Sequence, residues 1–113
     1  MKTIRMPLEA RINTLAVLDA QRGNVGEIRL CARIAGKIEL AADEREAIGY
    51  TTIPHPSGAE IPAWNRNAAL SDKSVDLFPE EARRLRAALE QCDMLRPRDL
   101  AWLEPLLDQL KED

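Results

Sequence analysis

Hydrophobic positions along this chain recur at helical spacing through most of its length, and the best organised run lies at residues 24–40, NVGEIRLCARIAGKIEL. At about 100° per residue, Val25, Ile28, Cys31, Ala32, Ala35 and Ile38 share one broad sector, while Arg29, Arg33 and Lys37 form a separate stripe. The spacing predicts a central helix with core on one side and three cations in a row on the other. Asn24 and Glu27, three residues apart, supply both halves of a capping box and mark its start.

Before it, residues 3–5 suit an edge strand, and Pro7 stands where a first helical residue belongs. Leu8, Ile12, Leu15 and Leu18 then repeat at helical spacing, with Glu9, Arg11, Asn13 and Thr14 expected outward. The connection through Gly23 is short enough that the first two helices must fold back as a hairpin. Residues 41–49, AADEREAIG, read as a short acidic helix stopped by Gly49. Residues 50–53 and 60–64 flank HPSG and predict a β-hairpin, which Pro54, Pro56 and Pro62 keep short or at a sheet edge, before a turn at Asn65, Arg66 and Asn67. SVDLF at 74–78 is a candidate third strand.

Pro79 opens the cleanest amphipathic helix, with Ala82, Leu85, Ala88, Leu89 and Cys92 on one side. Pro97 opens the last, whose Leu100, Leu103, Leu106, Leu107 and Leu110 share a face with Trp102 at its margin. Pro105 predicts a kink or a fresh start near Glu104. The pattern as a whole predicts a helix-rich α+β fold in a single domain, residues 1–113, with an N-terminal helical hairpin, a small antiparallel sheet and a C-terminal helical hairpin.

Composition narrows the function classes. With 45 % apolar and 31 % charged residues the chain is ordinary globular material. A formal charge of -3 argues against a general nucleic-acid coat, although a local basic patch stays open. Cys31 and Cys92 occupy apolar helix positions, as a reducing compartment allows. The opening MKTIRMPLEARINTL has no signal-peptide core and no apolar run is long enough to span a bilayer, so a cytoplasmic protein is expected.

Catalytic and metal-binding patterns are weak. His55 is the single histidine and, with two distant cysteines, makes no zinc-ligand pattern; it reads as an exposed turn residue. Ser57, Ser71 and Ser74 lack a strand-turn-helix elbow, Asp43, Glu44 and Glu46 read as a solvated helix face, and Gly23 and Gly26 are not a phosphate loop. No catalytic residue, metal or cofactor is therefore assigned. The stripe of Arg29, Arg33 and Lys37 either pairs with acids close by in sequence, namely Glu27, Glu39 and the 43–46 cluster, or meets an anionic partner. Trp64 either covers the core or, if exposed, anchors an interface.

The order of short motifs, with GN at 23–24, IGY at 48–50, AWN at 63–65 and PEEA at 79–82, resembles small bacteriophage and prophage accessory proteins of unassigned function. That resemblance implies an intracellular protein that meets a host protein or neutralises a host defence, and it brings no catalytic residues. The hairpin IPHPSGAEIPAW is longer than the resemblance leads one to expect. The expected function is a non-enzymatic interaction protein that binds and blocks a host protein, with Arg29, Arg33, Lys37 and Trp64 as candidate contacts. Two alternatives stand beside it: a sequestering binder of a small anionic ligand such as a nucleotide, and an enzyme of unrecognised type. The leucine-rich last helix is a candidate homodimer face.

Overall fold

A computed structural model describes residues 1–58, 60–65 and 71–111. Its elements run β1 (Lys2–Met6), α1 (Leu8–Asp19), α2 (Val25–Ile38), α3 (Ala42–Ile48), β2 (Thr51–Pro54), β3 (Glu60–Ala63), β4 (Lys73–Leu77), α4 (Pro79–Glu90) and α5 (Leu100–Leu110), with a 3-10 turn at Pro97–Asp99 leading into α5. The fold is α+β, with two small antiparallel sheets, β1 with β4 and β2 with β3. The residues group into two compact units, Met1–Glu39 together with Asp72–Asp113, and Leu40–Ser71.

In the first unit β4 does not extend the hairpin. It pairs with β1 in a register running from Lys2 opposite Leu77 to Met6 opposite Lys73. Both strands alternate, so Ile4, Met6, Val75 and Leu77 point into the core while Thr3, Arg5, Ser74 and Asp76 face out. Burial of that matched apolar face is what joins two strands so distant in sequence. The outer edge of β1 is closed by Gln109 of α5, whose side-chain amide accepts from the Arg5 N–H at 2.6 Å and donates to the Arg5 carbonyl at 2.9 Å. A side chain here does the work of a further strand.

The helical hairpin of α1 and α2 forms as expected, but one expectation about α1 is corrected. Arg11 and Thr14 are fully buried rather than outward. Helix α1 packs against α2, α4 and α5, so its buried arc is wider than its apolar stripe. The Arg11 guanidinium occupies that extra arc and donates from Nε to the Ile38 carbonyl at 3.1 Å and from Nη2 to the Glu39 carbonyl at 2.9 Å. Those are carbonyls that the end of a helix leaves without internal partners.

Helix α5 continues through Pro105, so the fresh start, one of the two outcomes expected there, does not occur. Pro105 and Ala101, whose carbonyl loses its donor, both lie on the exposed side, where solvent can satisfy it. Trp102, Leu103, Leu106 and Leu110 of the face considered for a homodimer are buried in the chain's own core, whereas Leu107 is half-buried and Leu100 is exposed. The Trp102 indole N–H donates to Asp99 at 3.1 Å.

The second unit holds α3 and the β2–β3 hairpin. Gly49 ends α3 in the left-handed region at φ 63°, as its position in the sequence predicts. The hairpin turn is closed by the Gly58 N–H to the His55 carbonyl at 2.9 Å, with Gly58 at φ 87°. Thr52 faces Pro62 and Pro54 faces Glu60, which places both prolines in the same class of pair, where the missing N–H would point away from the partner strand. The outer edges of the hairpin are thereby poor templates for another strand. Asn65 donates from its backbone N–H to Ile48; the rest of the expected turn, Arg66 and Asn67, lies outside the described residues.

Two substitutions test this account of α1 and α2 by urea unfolding. Arg11→Met should cost about 2 kcal/mol, because it strips charged donors from buried carbonyls. Gly36→Ala should raise stability by up to about 1 kcal/mol, since Gly36 lies in the last turn of α2 and nothing beyond the helix's own nearby backbone stands within 4 Å of where its Cβ would be.

Candidate interaction surface

Helix α2 carries three of the four candidate contacts, Arg29, Arg33 and Lys37. Asn24 caps it, its side chain accepting from the Glu27 N–H at 2.9 Å, while the Glu27 carboxylate lies 3.9 Å from Arg84. The buried side consists of Cys31, Ile34 and Ile38. Val25, Ile28 and Ala32, expected to face the core, are exposed instead, Val25 by 66 % and Ile28 by 39 %. The correction has a simple origin: α2 is apolar around much of its circumference, and a periodicity argument that omits Ile34 chooses the wrong arc.

A charged cluster joins α2 to α4. Glu81, on the first turn of α4, is 1 % exposed. Its Oε1 accepts from Lys37 Nζ at 2.6 Å and from the Phe78 N–H at 2.8 Å, and its Oε2 lies 3.5 Å from Arg33 Nε. Arg33 also meets Glu80 at 3.2 Å. Lys37 donates in addition to the Asp76 carbonyl at 2.9 Å and stands 4.9 Å from the centre of the Phe78 ring. Burial works to raise the Glu81 pKa, but the Lys37 and Phe78 hydrogen bonds and the charges of Lys37 and Arg33 outweigh it and hold the carboxyl below its ordinary value of 4.5.

The predicted stripe therefore divides. Arg33 and Lys37 are brought together on acids of the chain's own α4, not on the sequence-near acids Glu27, Glu39 or the 43–46 cluster. Arg29, one turn earlier and exposed, forms no ion pair or hydrogen bond among the described residues. Trp64 belongs to the other unit and is half-buried at the end of β3 rather than displayed. The hairpin there exposes Ile53 and Ile61, which are cross-strand partners and so share a face. At its tip His55 Nδ1 lies 2.8 Å from Ser57 Oγ, a local contact that closes the turn. Among the described residues no group of His, Cys, Asp and Glu could hold a metal ion, and no helix is long and apolar enough to cross a membrane.

The exposed stripe of Val25, Ile28 and Ala32, with Gly36 continuing it, was missed by the sequence reading. The signal that could have revealed it is an excess: the helix carries more apolar residues than one buried arc accommodates.

The depressed carboxyls give a pH test. Asp99 is also held below its ordinary value of 3.8, by the Arg96 N–H and then by Trp102. Acids with lowered folded-state pKa values contribute stability that is complete above their unfolded values and is lost as the pH falls through the folded ones. Urea midpoints should be flat above about pH 5 and fall steadily below 4.5. Glu81→Gln should lower stability at neutral pH by about 2 kcal/mol and make that fall shallower.

Set against family models, curated proteins and solved structures, the chain matches none of them.

Proposed function

We propose that this chain is a non-enzymatic interaction protein that acts by covering a surface of another protein. The observation that carries the reading is the second apolar face of α2, where Val25 and Ile28 stand in solvent beside Ala32 although the helix already has a complete buried face. Burying such side chains against a partner returns about 25 cal/mol for each Å² removed from water, which is the ordinary driving force of protein association. The small-anion alternative is weakened, because Arg33 and Lys37 are already bound to Glu80 and Glu81. The motif-level resemblance to bacteriophage accessory proteins is the ground for placing the partner in a host cell and for a blocking role.

The test is affinity isolation from host lysate with the wild-type chain and two variants, Val25→Asp/Ile28→Asp on α2 and Ile53→Asp/Ile61→Asp on the hairpin. A protein retained stoichiometrically by the wild type and lost by the α2 variant is the expected result. Retention that survives the α2 variant, or no stoichiometric partner, counts against the reading.

A further inference from the structure

The outer face of α2 has a definite shape. Val25, Ile28, Ala32 and Gly36 fall within an arc of about 80° and extend for about 16 Å, three helical turns. Side chains recurring at three and four residues form the ridge that one helix offers to the groove of another. The stripe is graded, from large apolar groups at Val25 and Ile28 to a methyl at Ala32 and bare backbone at Gly36. Beyond the helix's own nearby backbone no atom lies within 4 Å of a Cβ built at Gly36, so nothing in the chain packs there, although glycine weakens a helix. A floor of this kind admits a second backbone at short range.

Charge distinguishes the two ends. Arg22, just before α2, and Arg29, beside Ile28, are exposed and form no ion pair or hydrogen bond among the described residues. The amino end of α2 adds positive polarity at the same place. Arg33 and Lys37 are neutralised by Glu80 and Glu81, and Glu39 stands at the far end of the stripe. Along α2, then, the cation without an ion pair or hydrogen bond among the described residues is Arg29, next to Ile28 in the chain and one turn from Val25, with Arg22 in the loop before the helix.

We infer that the occupant of this face is an acidic amphipathic helix of the partner protein, its apolar side chains seated on Val25, Ile28 and Ala32 and its carboxylates beside Arg22 and Arg29. This rests on the interaction reading above and adds the chemistry of the partner. A helix is the element whose spacing matches the stripe, and carboxylates are the groups that the free arginines bind in a fork. A basic helix would meet like charge at the same positions.

Two helical peptides of about 14 residues provide the probe, identical on their apolar face and flanked by Glu in one and Lys in the other. Fluorescence anisotropy against the intact chain should show the Glu peptide binding at least roughly tenfold tighter, with the advantage shrinking at high salt. Ile28→Asp should abolish that binding and Arg29→Glu should reverse the preference, while Ile53→Asp leaves both unchanged. Both altered α2 positions are exposed, and unchanged circular dichroism would confirm that each variant folds. Equal affinity for the two peptides, preference for the Lys peptide, or binding of neither overturns the inference. So does self-association of the chain that Ile28→Asp removes. A lysate partner that depends on Ile28 but presents a basic or non-helical segment would overturn the inference and leave the interaction reading intact.

Discussion

A single buried carboxylate ties α2 to α4. Glu81 is nearly without solvent, and a charge in that position is tolerable only because Lys37, Arg33 and the Phe78 N–H all converge on it. Removing one donor would leave part of a buried charge unanswered. Apolar burial on α2 comes from Cys31, Ile34 and Ile38, while Val25 and Ile28 on another side stay in solvent. With the Ile34 side inward, Lys37 and Arg33 both reach Glu81. The same link joins α4, β4 and α2, as Phe78 caps α4 directly after β4 and Lys37 binds the Asp76 carbonyl.

Polar groups close the first unit elsewhere in the same manner. Arg11 takes up the last carbonyls of α2, and Gln109 completes the free edge of β1. Each is a side chain satisfying backbone that the apolar core of Ile4, Met6, Leu77, Leu85 and Leu106 cannot, while Thr14 Oγ1, Glu81 Oε2 and Arg84 Nε are buried without a hydrogen-bond partner among the described residues. In the second unit, prolines serve that purpose by removing outward donors from the hairpin.

The consequences for function follow from where charge is spent. Two of the three cations on α2 serve the fold, which leaves Arg29 as the stripe's contribution to anything outside the chain. The face beside it is apolar, narrow and shallow toward Gly36, a surface shaped for another element of secondary structure more than for a small molecule. Trp64, half-buried, does not add an exposed aromatic anchor.

Local chemistry in the sequence determined where most elements begin and end: Asn24 as cap of α2, Pro79 at the start of α4, Gly49 at the end of α3, and the turn at His55 to Gly58. These signals act within a turn or two of the chain and can be read without knowing the neighbours. Tertiary structure alone decided the rotation of α2, the burial of Arg11, the pairing of β4 with β1 and the passage of α5 through Pro105. Each of those depends on which groups arrive from far along the chain, such as Glu81 for Lys37 or Ile38 for Arg11. A helix that is apolar on two sides does not carry in its own sequence which side the rest of the molecule will cover.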